Sequence, residues 1–426
     1  MPPLIASQRD PRQFLTDLFW VAVKTADPMR VLKDYLPDLP KGRLLVIGAG
    51  KASARMAEAV EATYGPCEGL VITRYGYARP CKGIEIVEAA HPVPDAAGEA
   101  ATHQMLALVA GLGPNDLVLA LISGGGSALL CAPSDGLTLE DKIDVNRALL
   151  ASGAPIGDIN VVRKHLSQVK AGQLAAACYP GRLVSLLISD VPGDDPSQIA
   201  SGPTVGETSV ANDALSIIDR YGITVPHNVR RAIARSTVVV PDDPRLAFAT
   251  THIVAAPSQS IAAAANHASA SGFDVRLLGE ALEGEARELG EAHARLALEL
   301  QSAMQKNASP ILLLSGGECT VTRRGNGIGG PNAEFTLSAA ITLKERNGIH
   351  VLACDTDGVD GAAEVAGAYA GPETFERARQ RSVDPKRALE NNDAHNFFKQ
   401  VDGQVITGPT LTNVNDFRAM LIYPAQ

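Results

Sequence analysis

The chain has 426 residues, a formal net charge of −9, 46% apolar residues and 20% charged residues. That length exceeds one ordinary core and suits two α/β domains, and the acidic balance excludes a general nucleic-acid binder, which presents a basic face. Aromatic residues are only 4% while Ala and Gly are plentiful, a composition that fits helices lying close on sheets better than a β-sandwich. In chain order, 11–26 reads as an opening amphipathic helix stopped by Asp27-Pro28, because proline restricts the residue before it. Short apolar strands follow at 44–47, 70–73, 117–122 and 183–188, each ending in Gly, Ser or Arg. Ala-rich helical patterns at 52–64 and 96–111 separate them. Strand, loop and helix in alternation mean a parallel sheet covered on both faces.

A break falls at 237–244, where Pro241-Asp242-Asp243-Pro244 fits neither a helix interior nor a central strand. The expected domains are therefore 1–240, a parallel-sheet α/β unit, and 245–426, a second α/β unit. The second part reads as a strand at 252–255, a helix at 258–272, a strand at 275–278, a long helix from about 283 to 306, and strands at 311–314 and 351–354. The apolar runs are strand-length, far short of a membrane span, and 1–12 has no basic-then-apolar leader. Six cysteines without any C-x-x-C pair read as reduced, buried thiols. A cytoplasmic protein is expected, with no membrane and no nucleic acid as partner.

In open parallel sheets, ligands gather at the carboxyl ends of the strands. Here those ends are rich in Gly, Ser and Asp. Gly48-Ala49-Gly50-Lys51-Ala52-Ser53 follows the first strand, Ser123-Gly124-Gly125-Gly126-Ser127 the 117–122 strand, and Ser189-Asp190-Val191-Pro192-Gly193-Asp194-Asp195 the 183–188 strand. Ser315-Gly316-Gly317-Glu318 and Asp355-Thr356-Asp357-Gly358 play the same part in the second half. Glycine turns let backbone N–H groups converge on an anion, and helix dipoles add to the attraction. The first loop is neither a complete dinucleotide fingerprint, since Ser53 replaces the third glycine, nor a Walker A loop. Its Lys51 opposes the positive end of a helix unless an anion lies between them; the alternative is a solvent-facing helix residue.

Residues 161–174 concentrate positive charge. On a continuous helix Arg163, Ser167 and Lys170 share one side, and a guanidinium suits a carboxylate or phosphate; an ordinary solvated face is the alternative. Asp190, Asp194 and Asp195 cluster on one loop, and Asp355, Asp357 and Asp360 on another. Oxygen clusters of this kind suit Mg²⁺, although single aspartates more often make turns and caps. His91 and His165 lack metal-ligand spacing and read as structural. Neither a G-x-S-x-G elbow nor an H-E-x-x-H motif is present.

Taken together, the strings Ile47-Gly48-Ala49-Gly50-Lys51-Ala52-Ser53, Ser123 to Leu129, Arg163-Lys164-His165-Leu166-Ser167, Ser189-Asp190-Val191 and Ile199-Ala200-Ser201-Gly202-Pro203-Thr204 resemble the glycerate 2-kinase family. The second half resembles the MOFRL domain through 327–334, Asp355-Thr356-Asp357-Gly358-Val359-Asp360-Gly361 and Thr412-Asn413-Val414-Asn415-Asp416. The resemblance implies an ATP- and Mg²⁺-dependent kinase acting on D-glycerate, a Rossmann-like N-terminal domain, a smaller C-terminal domain, and an active site in the interdomain cleft. It puts the catalytic lysine on Lys51. Ile328 and Pro331 stand where relatives often have an arginine, with Arg324 just before. Some relatives carry the name hydroxypyruvate reductase.

The expected site is then Lys51 and Asp190 as catalytic groups, and Arg163, Ser53 and Asn332 for the substrate. Gly48, Gly50, Ser123, Gly124, Gly125, Gly126, Ser127, Lys170, Gly316, Gly317, Glu318 and Asp357 are expected to meet the nucleotide, and Asp194 and Asp195 the metal. A monomer or homodimer is expected. The rival enzyme reading is an NADP-dependent hydroxypyruvate reductase, resting on Gly48-x-Gly50 and on Arg74 at the end of the second strand. A ligand sensor without turnover is the rival that is not an enzyme.

Overall fold

The computed structural model describes residues 10–361 and 363–425. The chain divides into two compact units, one of residues 28–255 and one of residues 1–27 with 256–426.

The first unit holds six parallel strands: β1 (Leu44–Ala49), β2 (Glu68–Arg74), β3 (Ile84–Ala89), β4 (Leu117–Ile122), β5 (Arg182–Ile188) and β6 (Ala249–Ala255). Their order is β3-β2-β1-β4-β5-β6. The apolar runs of β1, β4 and β5 are buried almost throughout, because helices cover both faces of a parallel sheet. On one face Leu45, Ile47, Val118, Ala120 and Leu183 pack against Ala101, Met105 and Val109 of the helix Ala96–Val109. The strand order reverses between β1 and β4, which opens a crevice at their carboxyl ends.

The Pro241–Pro244 turn lies inside this unit rather than at its edge. Glu207 and Val239 are tied by a backbone hydrogen bond, Val239 is tied to Ala171, and the chain then adds β6 to the sheet. The division comes after Ala255, not at 240–245.

The second unit is built on a mixed sheet. Its strands are β7 (Asp274–Gly279), β9 (Ile311–Gly317), β11 (Ile349–Asp355), β12 (Gly367–Ala370), β13 (Gln404–Val405) and β14 (Asp416–Ile422), in the order β13-β12-β11-β14-β9-β7; β8 (Gly284–Glu285) and β10 (Cys319–Thr320) form a separate short pair. Only β7 and β9 run parallel in the larger sheet. The opening helix Pro11–Thr25, with Asp10 capping its first turn, belongs here and not to the unit that follows it in sequence. Its apolar stripe finds its cover in this unit: Phe14 stacks on Phe273 with ring centroids 4.3 Å apart, and Phe19 meets Phe417 edge-on.

All six cysteines are unpaired and five of them are buried. No helix among the described residues is long and apolar enough to cross a membrane.

His293, on the helix Ala286–Ala303, is buried between the Leu289 carbonyl (2.9 Å from Nδ1) and the Ser315 hydroxyl (3.2 Å from Nε2). Nδ1–H donates to the carbonyl, which leaves Nε2 to accept. Burial lowers this imidazole to about 4, against an ordinary value near 6.5. Because the folded value is depressed, the unfolded chain binds the proton first as the pH falls. Stability is therefore expected to drop between pH 6.5 and 4, by about 3 kcal/mol at most. Urea unfolding should show that slope, and His293→Gln should flatten it.

Candidate active site

At the carboxyl end of β1 the chain turns at Gly50 to Ala52 and enters the helix Ser53–Tyr64, which has neither a capping side chain nor an acid in its first turn. The neighbouring β4 ends in Ser123 to Ser127, and the two loops are tied together. Lys51 N–H donates to the Gly124 carbonyl at 2.8 Å, and Ala52 N–H to Ser123 Oγ at 3.0 Å. Gly125 is left-handed, with φ +80°, a conformation that glycine adopts without steric cost. A Cβ there would stand 3.1 Å from His91 Cδ2 and 3.2 Å from Lys51 Cγ. Lys51 and His91 thus converge on this turn.

Gly48 is required for a different reason. A Cβ on it would press into the Leu121 carbonyl and stand 2.9 Å from Leu121 Cβ, forcing β1 away from β4. Gly48→Ala is expected to cost about 1–3 kcal/mol through overpacking, measurable as a lower urea midpoint.

Beside these loops lies a cavity of about 210 Å³. Lys142, Arg163, Lys170 and His91 line it, together with the apolar side chains of Pro92, Val145, Leu149 and Leu166, and no Asp or Glu is among the lining residues. Arg163 is aimed by neutral groups: Nε donates to Asn146 Oδ1 at 2.7 Å and Nη1 to Asn160 Oδ1 at 3.4 Å. Lys170, 1% exposed, donates to the carbonyls of Ser127 (2.8 Å) and Leu130 (3.3 Å). Burial, reinforced by Lys142 and Arg163, holds its ammonium well below the usual lysine value. Burial likewise lowers Lys142 and Arg163. Three cations share one small space whose lining residues include no carboxylate, an arrangement that an incoming anion stabilises.

The expected helical stripe of Arg163, Ser167 and Lys170 does not form. The helix Ile156–His165 ends before Ser167, and Leu166 leaves the helical region. Arg163 and Lys170 nonetheless reach the same cavity, one from the helix and one from the turn beyond it.

Asp190 lies in the loop two residues past the end of β5, the strand beside β4. On the same loop Asp194 takes a left-handed backbone, and its Oδ1 is buried without a hydrogen-bond partner. Asp195 instead caps a local turn, accepting from Ser197 N–H and Ser197 Oγ at 2.9 Å each. Among the described residues no three His, Cys, Asp or Glu side chains converge as a metal-binding group.

Two residues expected to face the substrate make hydrogen bonds within their own units. Ser53 is fully buried and donates to the Leu121 carbonyl at 2.8 Å. Asn332 is fully buried too, its amide donating to Asp416 Oδ1 at 2.6 Å and Asp360 Oδ1 at 3.3 Å. In this second unit Asp360 also accepts the first N–H groups of the helix Pro331–Leu343, from Asn332 (2.9 Å) and Ala333 (2.8 Å), and meets His395 Nε2 at 2.9 Å. Gly316 and Gly317 end β9, and their carbonyls accept from Arg418, whose guanidinium pairs with Asp416 at 2.6 Å. Glu318 is exposed. Asp357 is buried in a turn, where it accepts from Val359 N–H at 2.8 Å.

Sequence reasoning passed over Lys142 and gave His91 only a structural part. Lys142 did leave a signal: with Val145 and Leu149 it falls on the buried stripe of the helix Leu139–Ala151, where a lysine is out of place.

The six-stranded parallel sheet, with its strand order reversing between β1 and β4, defines the first unit as an α/β domain of Rossmann type. Residues 14–234 match a family described as a domain of unknown function (DUF4147), and residues 311–416 match the MOFRL family. The chain belongs to the glycerate kinase family that joins these two domains. It is 39% identical to D-glycerate 2-kinase of Thermotoga maritima, over 94% of this chain and 96% of that one. A protein of Agrobacterium vitis that carries the name hydroxypyruvate reductase is 49% identical over 96% of this chain and 94% of its own length. A crystal structure of glycerate kinase from Thermotoga maritima superposes with a TM-score of 0.84 at 38% identity, covering 96% of this chain and 99% of that one.

Proposed function

We infer that this chain is a glycerate kinase that moves the γ-phosphoryl group of ATP onto the 2-hydroxyl of D-glycerate, giving 2-phosphoglycerate and ADP. The observation that carries the reading is the cation-lined, acid-free cavity beside the Lys51 turn, in a chain similar along its whole length to proteins named for that activity. Phosphoryl transfer asks the protein for alignment and charge neutralisation more than for covalent chemistry.

In this reading Arg163 receives the acceptor's carboxylate, and Lys51 meets the charge that builds on the transferring phosphoryl group. Asp190 takes the hydroxyl proton as the new O–P bond forms and the bond to the β-phosphate oxygen breaks. Glu318 and Asp357 serve the nucleotide. Asp194, with its unsatisfied carboxylate oxygen, fits Mg²⁺, which takes one or two carboxylates and otherwise phosphate oxygens and water; Asp195, held by Ser197, fits it less well. When bound, Mg²⁺ supplies charge neutralisation on the phosphates. Cytoplasmic ATP is the proposed donor.

One observation favours a second reading. The strand order β3-β2-β1-β4-β5-β6 is also that of dinucleotide-binding domains, and the relative from Agrobacterium vitis bears a reductase name. Against it, the position of the third fingerprint glycine is occupied by the buried Ser53. Arg74, the residue available to an NADP phosphate, lies across the Tyr77 ring at 5.4 Å.

Incubating the protein with D-glycerate, ATP and Mg²⁺ should yield ADP and 2-phosphoglycerate in equal amounts, while hydroxypyruvate with NADPH should leave the cofactor unoxidised. Oxidation of NADPH without ADP formation would reverse the assignment.

A further inference from the structure

Lys142 is 8% exposed, and its ammonium has no hydrogen-bond partner beyond the weakly accepting Cys131 thiol beside it. An unpaired buried charge is costly, and this one shares its cavity with Arg163 and Lys170. Both neighbours on its helix stripe, Val145 and Leu149, are core residues that an apolar side chain would extend. What the ammonium does face is a small space with apolar walls and a guanidinium already aimed into it by Asn146. A cavity of about 210 Å³ has room for a three-carbon acid.

We propose that Lys142 is the specificity-determining cation of the acceptor subsite, where with Arg163 it receives the carboxylate of a small 2-hydroxy acid and so separates acids from uncharged polyols of the same size. The proposal rests on the kinase reading for its substrate but not for its chemistry, since a carboxylate subsite exists whether or not phosphoryl transfer follows.

The groups that act on the Lys142 charge are the Cys131 thiol, Glu99 on the helix Ala96–Val109, Arg163 and Lys170, with His91 also on the cavity wall. Burial and the Arg163 charge lower its proton affinity in the free protein, against the pull of the Cys131 thiol and Glu99, so the acid binds only while the ammonium persists. The KM for glycerate should therefore rise as the pH is made alkaline.

The test compares wild type, Lys142→Met and Lys142→Arg. Lys142→Met removes the charge at similar volume. Its KM for D-glycerate is expected to rise roughly 10–100-fold, the worth of one charged hydrogen bond, with the KM for ATP within about twofold. The alkaline rise in KM should flatten, and Lys142→Arg should recover part of the affinity. The melting temperature of Lys142→Met should hold or increase by about 2–4 °C, whereas a residue kept for the fold would lower it. An unchanged KM for glycerate, or a fall in melting temperature with no specific loss of glycerate binding, overturns the proposal. Calorimetric titration with D-glycerate alone separates this inference from the kinase reading. If wild type lacks kinase activity yet binds the acid and Lys142→Met does not, the subsite stands and the activity falls. If both proteins bind it equally, or neither binds it, the subsite falls.

Discussion

Replacing Lys51 with alanine is expected to lower turnover of ATP with D-glycerate by about 10²–10³, equivalent to about 3–4 kcal/mol of transition-state stabilisation, while the fold stays intact. Lys51 stands in the turn that leaves β1, tied through its own N–H to Gly124, with its side chain against Gly125. The backbone bond survives the substitution, so the loop should keep its shape. Only the cation is lost, at the open end of a helix that has no acid in its first turn. ADP release measured at saturating substrates checks the effect, and circular dichroism with thermal melting checks the fold. Turnover within threefold of wild type would remove Lys51 from the mechanism.

The largest loss of stability is expected from Arg418→Met. Arg418 is 1% exposed in the middle of β14. It pairs with Asp416 and donates to the carbonyls that end β9. Methionine fills much of the space but leaves Asp416 buried with one neutral partner, Asn332. Removing one member of such a pair costs about 3–5 kcal/mol. Burial already raises the Asp416 carboxyl above its ordinary value, against the pull of Arg418, and without the guanidinium it should rise further. A raised carboxyl means that the folded protein binds the proton more readily than the unfolded chain, so acid relieves the defect. The variant should therefore lose more stability relative to wild type at pH 8 than at pH 5, as read by urea unfolding. An equal loss at both values would show that Asp416 carries no charge to strand.

These two residues also mark how far the sequence could be read. Lys51 was legible because a lysine inside a glycine turn, between an apolar strand and an Ala-rich helix, breaks a local electrostatic preference that needs no tertiary knowledge. The strands β1, β2, β4 and β5 were legible for a similar reason: an apolar run too short for a helix, closed at both ends by breakers, can bury itself only as a strand. β14 was not, because Asp416 and Arg418 interrupt its apolar pattern, and charges inside a central strand make sense only once each is seen to neutralise the other. Asn332 and Ser53 show the opposite difficulty. Polar residues in motif loops suggest ligand contact, but these two are used inside the units, on Asp416 and Asp360 and on the Leu121 carbonyl. The stripe through Arg163, Ser167 and Lys170 failed because helical spacing was carried past Leu166, where the helix ends. Arg163 and Lys170 reach one cavity through a turn that no periodicity describes.

The opening helix Pro11–Thr25 buries its apolar stripe in a unit whose remaining residues begin at 256. During synthesis that helix leaves the ribosome before residues 28–255, and its Phe14, Leu18 and Phe19 have no lasting cover until a further 230 or so residues are made, roughly 10–50 s at ordinary elongation rates. The sheet of residues 28–255 is complete by then. While residues 28–255 are being made, the nascent chain therefore carries an unsheltered greasy segment ahead of them, a natural grip for a holding chaperone and a point where an early stop would leave a sticky fragment.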